Sequence, residues 1–176
     1  MKKLIFMPIV ILTLCCFSAV SFARSYTNPS TIYKIRIPDN WIVTTLSKES
    51  DLEATSPEGV SIVCTSLKNT YRVNNLCELS DNDLRAFTIS YSATLVATMN
   101  QSGLDLSYLS QKKFNINGKD NLIALAYNIS QLPKGKIIAF ININKSSIVA
   151  IYFLFPDMNE TNYKILSQIM STFETL

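Results

Sequence analysis

Four strand candidates in succession limit what this chain can fold into more than any other feature. They span 106–116, 121–129, 136–143 and 147–155. Their connections are Asn117-Gly118-Lys119-Asp120, Leu132-Pro133-Lys134-Gly135 and Asn144-Lys145-Ser146, each short and rich in turn residues. Parallel neighbours need a crossover of about a dozen residues or more, so these strands must run antiparallel. Residues 137–143 and 148–155 are apolar almost without interruption. A strand with one wet face alternates polar and apolar residues. These two require cover on both faces.

The cover comes from two amphipathic segments. Ser80 with Asp83 approximates a capping box. Leu84, Phe87, Tyr91, Leu95 and Met99 then recur at three- and four-residue steps, and Gly103 suits the stop. After Pro156, Asp157 and Glu160 are placed to cap a second helix, with Tyr163, Leu166, Ile169, Met170 and Phe173 along one face. Upstream, Tyr33, Ile35 and Ile37 alternate with Lys34 and Arg36, a strand pattern that Pro38-Asp39-Asn40 ends. Residues 41–45 are a second β-prone run. Residues 52–56 and 60–67 flank Pro57-Glu58-Gly59 as a hairpin whose second arm is apolar on both faces, a central strand. Residues 68–79 read as a polar connection with few packing cues. Isolated helices among runs of strands define an α+β class: an antiparallel sheet of about six to seven strands with a central and a C-terminal helix packed on it.

The first 23 residues stand apart. Lys2 and Lys3 precede an apolar run over 4–17, and the segment ends Ser21-Phe22-Ala23, the anatomy of a secretory signal cut after Ala23. The run is shorter than the roughly 20 residues a spanning helix needs, and Pro8 and Thr13 interrupt it. Cys15 and Cys16 make lipidation a minority alternative, because Leu14 is too bulky for a lipobox. The expected organisation is a signal at 1–23, a flexible leader at 24–31 and one α+β domain at 32–176. The expected address is periplasmic or secreted, with no stable membrane insertion after cleavage.

Charge excludes some functions. The chain carries 16 basic and 13 acidic residues. Lys2 and Lys3 fall in the signal, so 14 basic residues face 13 acidic ones in the remainder. No basic stripe survives, only pairs such as Lys112-Lys113, and nucleic acid is not an expected partner. The cysteines outside the signal are Cys64 and Cys77, an even count that in an oxidising compartment invites a disulfide.

Catalytic patterns are missing. Histidine is absent, and no serine sits in a G-x-S-x-G or S-x-x-K setting. Asp81 and Asp83 suit the helix dipole. Glu49, Asp51 and Glu53 alternate as a calcium site would require, without EF-hand spacing, and read better as a solvated edge. No cofactor is expected. Tyr33 and Trp41 are contact candidates, although a Trp beside a Pro turn more often seals a core. Tyr71 and Arg72 are contact candidates in a loop.

The run Tyr33-Lys34-Ile35-Arg36-Ile37-Pro38-Asp39-Asn40-Trp41 and the hairpin Leu52-Glu53-Ala54-Thr55-Ser56-Pro57-Glu58-Gly59-Val60 resemble the PsbP-like family, including its bacterial DcrB type. The helix, the meander around Ile116-Asn117-Gly118-Lys119 and the last helix follow in matching order. The resemblance implies an antiparallel sheet with flanking helices and binding, chaperone-like or accessory work. It offers no catalytic residues to carry over. The expected function is that of an exported non-enzymatic binding or accessory protein whose partner is another protein. The alternatives are a secreted factor acting on host cells, and a hydrolase with an unrecognised Ser/Asp or Cys site.

Overall fold

A computed structural model describes residues 24–28, 30, 32–44, 51–69, 73, 75–116, 118 and 120–176. The four successive strands form as expected: β6 (Leu106–Ile116), β7 (Asp120–Ile129), β8 (Lys136–Ile143) and β9 (Ser147–Phe155), reached after β1 (Arg24–Thr27), β2 (Tyr33–Ile37), β3 (Ile42–Thr44), β4 (Leu52–Thr55), β5 (Ser61–Lys68) and helix α1 (Asp81–Gln101). Helix α2 (Glu160–Ser171) and the two-residue strand β10 (Glu174–Thr175) complete the chain. A seven-stranded sheet has the order β3-β4-β5-β9-β8-β7-β6, and all its pairs are antiparallel.

The meander and the β4–β5 hairpin join where β5 pairs with β9, Cys64 standing opposite Ile151. Gly59 makes the hairpin turn at φ +82°, a conformation that a Cβ disfavours. Because β8 and β9 lie inside the sheet, both their faces are buried, as their composition requires. On one face Phe140, Ile151, Phe153 and Phe155 pack against Leu166, Ile169 and Met170 of α2. On the other, Ile137, Ala139, Ile141 and Ile148 pack with Leu84, Phe87 and Leu95 of α1. Phe153 stacks on Phe155 with centroids 5.9 Å apart and meets Phe140 edge-on at 5.9 Å.

Local chemistry sets the helix ends. Ser80 caps α1: its Oγ accepts from the Asp83 N–H at 3.2 Å and donates to Asp83 Oδ2 at 2.6 Å. Gly103, at φ +80°, closes α1, and the Leu104 N–H reaches back to the Met99 carbonyl. The cap of α2 is neither Asp157 nor Glu160. Asn159 takes that place, its Oδ1 accepting from the Asn162 N–H at 2.9 Å, and Glu160 instead pairs with Lys164 at 2.8 Å.

Three further expectations are corrected. Residues 24–27, read as part of a flexible leader, form β1 and pair with β2 in register Arg24 to Ile37. The 68–79 connection carries a short 3-10 helix, Leu76–Glu78, whose Leu76 is fully buried in the α1-side core. Tyr163, assigned to the apolar face of α2, is 57% exposed. The signal at 1–23 lies outside the described residues. Among the described residues, no helix is long and apolar enough to cross a membrane.

Strand β10 also pairs with β2, so a small sheet of order β1-β2-β10 sits beside α2 over the main sheet. Tyr33, Ile35 and Ile37 enter the α2-side core with Phe173. A Phe153→Ala substitution, at the aromatic centre of that core, is expected to cost about 3–5 kcal/mol in urea unfolding.

Candidate functional site

The seven-stranded sheet is wider than the helix on either side of it, and this mismatch makes the candidate sites. Helix α1 lies over β6, β7, β8 and part of β9. Beyond its edge, β4 and β5 turn Glu53, Val63, Thr65 and Leu67 to the same face. Between them and α1 runs a groove of about 780 Å³. Its roof is the Tyr91, Thr94 and Thr98 side of α1, and its floor includes Tyr152 and Leu154 of β9. The Tyr91 and Tyr152 hydroxyls bond across the gap and tie the helix to the sheet. Burial raises the Tyr152 phenol above its ordinary pKa, and the bond from Tyr91 partly offsets this. The Thr94 and Thr98 hydroxyls donate to the Ser90 and Thr94 carbonyls, so the roof presents methyl groups rather than free hydroxyls.

The roof has no charge. From Ala86 to Gln101 the helix contains no charged residue, although Ala86, Ile89, Ser90, Ala93, Thr94, Ala97 and Thr98 are all exposed. An ordinary surface helix carries charge on its outer face. This uncharged stretch is legible in the sequence, but the stripe analysis followed only the buried side. Floor residue Leu67 is 64% exposed.

The residues singled out from sequence are dispersed. Trp41 is buried in the α2-side core, its backbone N–H donating to the Pro38 carbonyl at 3.1 Å, and its ring seals the core rather than offering a surface. Tyr33 is buried with it. Tyr71, Arg72 and Glu49 lie outside the described residues. Asp51 and Glu53 diverge: Glu53 lines the groove, whereas Asp51 lies close to Tyr33 and Cys64. Asp81 approaches Lys113 at 3.9 Å at the start of α1. Among the described residues, no group of three His, Cys, Asp or Glu side chains is placed to hold a metal.

The disulfide does not form; Cys64 and Cys77 are both free. Cys64 is a fully buried β5 residue on the α2 side of the sheet. Cys77 lies in the short helix beside β7, next to Leu76 of the opposite core. Three strand spacings separate β5 from β7, about 14 Å, whereas bridged Cα atoms lie within about 7 Å. Burial holds the Cys64 thiol well above the ordinary range. Burial also raises Cys77, with Lys113 pulling down and Glu78 pushing up. Neither is an activated nucleophile.

Tyr33, Cys64 and Asp51 form a buried polar cluster. Burial raises the Tyr33 phenol far above its ordinary value, and the nearby Cys64 and Asp51 raise it further. The three groups approach without meeting hydrogen-bond geometry: Tyr33 Oη and Asp51 Oδ2 are both buried without a partner among the described residues. An orphaned hydroxyl costs stability.

Among solved structures, the fold matches the solution structure of cyanobacterial PsbP (CyanoP) from Synechocystis sp. PCC 6803 with a TM-score of 0.62. The identity is 13%, over 94% of this chain and 99% of that one. A crystal structure from Bacteroides thetaiotaomicron overlaps at a TM-score of 0.46 and 13% identity, covering 89% of this chain and 49% of that one, too loosely to carry an argument. No family model and no curated protein matches the sequence. The chain therefore has the PsbP-like fold. At this identity the likeness establishes architecture and assigns no activity.

Two outcomes follow for the buried groups. Tyr33→Phe is expected to leave stability at neutral pH unchanged or slightly raised in urea unfolding. The folded-state pKa of Tyr33 and Tyr152 lies above the ordinary 10.0, so the unfolded chain releases those protons first and stability falls as pH rises beyond about 10. Tyr33→Phe should reduce that alkaline loss. The unreduced, unfolded protein should show both thiols to a thiol reagent. In the folded protein Cys64 should be silent, and Cys77 should react more slowly at pH 8 than a peptide cysteine.

Proposed function

We propose that this chain is an exported, non-enzymatic accessory module that binds another protein through the open sheet face beside α1. One observation carries the reading: α1 leaves the β4–β5 face uncovered, and both that face and the helix edge above it are uncharged over most of their length. Charged residues are depleted at the centres of protein interfaces, and the exposed Leu67 adds apolar area for a partner to cover. A groove beside a helix and an apolar sheet floor would admit a partner's apolar segment between polar edges, with Glu53 and Lys68 at the rim. Histidine, the commonest general base, is absent, and burial raises both thiols, which makes neither an activated nucleophile. The PsbP-like fold supports the accessory reading at the level of class.

The test is site-specific photo-cross-linking from position 67 in the producing cell, followed by binding measurements with the protein captured. Leu67→Glu and Thr94→Glu should each weaken that complex about tenfold or more, equivalent to about 1.4 kcal/mol. Lys145→Glu, in the exposed β8–β9 turn, should leave it intact. Equal binding by all three variants would remove the proposed face. For export, mass spectrometry of the protein from its own cell should find an N-terminus at Arg24.

A further inference from the structure

The opposite side of the sheet has its own opening, between α2 and strands β6, β7 and β8. We infer that this groove binds a single-chain fatty acid, with the hydrocarbon inside and the carboxylate at Lys112. It arises from the alternation along β7. Toward α1 that strand presents Ile123, Leu125 and Tyr127, all fully buried. Toward α2 it presents Ala124 and Ala126, and these short side chains leave a hollow floor. Phe114 and Phe140 wall it on the sheet side, and Leu166 and Met170 wall it on the helix side. The space is about 420 Å³, within the range of small-ligand sites of about 300–1,000 Å³.

The polar groups lie at its rim. Lys112 lines the groove from β6, and its Nζ stands 5.2 Å from the centre of the Phe114 ring. Its neighbours are engaged elsewhere: Lys113 faces Asp81, and Lys164 pairs with Glu160. Among the described residues no carboxylate lies within ion-pair distance of Lys112. An apolar trough with one cation at the rim complements an unbranched chain ending in one negative charge. A peptide would bring backbone N–H and C=O groups that the hydrocarbon walls cannot satisfy. The site is on the other side of the sheet from the proposed protein-binding face and does not depend on it.

The experiment is a fluorescence titration of the purified protein with cis-parinaric acid, then displacement by hexanoate, octanoate, decanoate and decanol. Displacement should strengthen about fourfold per added methylene, the ratio set by burial of one CH2. Decanoate should bind more tightly than decanol. Lys112→Glu should weaken decanoate about threefold or more and leave decanol unchanged. Ala126→Trp, which fills the floor, should abolish binding of both. Independently of whether that variant folds, a fatty acid with a terminal diazirine provides a second measurement on the unaltered protein. Its cross-links should map by mass spectrometry to residues 110–116, 124–126 or 163–171. The inference is overturned if parinaric acid does not bind, if decanol equals decanoate and Lys112→Glu changes neither, if folded Ala126→Trp binds as before, or if the cross-links fall on the α1 side.

Discussion

The pairing of β5 with β9 is the contact on which the rest of the molecule depends. It runs over eight residue pairs, from Ser61 opposite Leu154 to Lys68 opposite Ser147. It joins the early β4–β5 hairpin to the late meander, two pieces that are each local in sequence. Once it forms, β9 and β8 are interior strands, and their apolar residues are committed to two faces. One face then requires α1 and the other requires α2. The ladder is also a barrier: groups separated by it, such as Cys64 and Leu76, belong to different cores.

Much of this was legible residue by residue, and the exceptions have physical reasons. The ends of β8 and β9 coincide with the bounds read for them, 136–143 and 147–155, because turn chemistry closes each side. Helix α1 was legible from Ser80 to Gly103 because cap, stripe and stop agree. Strands β1 and β10 were not: Arg24-Ser25-Tyr26-Thr27 and Glu174-Thr175 have no strand signal of their own and are extended because β2 lies between them. Leu76 was hidden because a single buried leucine in a polar stretch has no period. The cysteine pair failed for a related reason. Alternation correctly placed Cys64 inside, but which side of the sheet Cys77 would reach is a tertiary matter.

The candidate sites were legible only in part. A groove is a difference in width between layers, and no local pattern encodes width. Two traces were nonetheless present. One is the charge-free run of α1, and the other is the alternation of alanine with large residues along β7. Both mark a face by what it lacks, whereas stripe and motif searches look for what a face contains. The two openings differ in character accordingly. One is long, edged by polar groups and roofed by threonine methyls. The other is shorter, walled by aromatic and aliphatic side chains, and has one cation at its rim.

Strand β2 is flanked by the first described strand and by the last residues of the chain, and Phe173, just before that final strand, is fully buried against Tyr33. The α2-side core thus cannot close until the final few residues are available. A chain made N-terminus first leaves Tyr33 without this ring partner until Phe173 has been added. Phe173, Glu174 and Thr175 then fasten β2 like a clasp, and without them Tyr33 and the interior beside it lie uncovered.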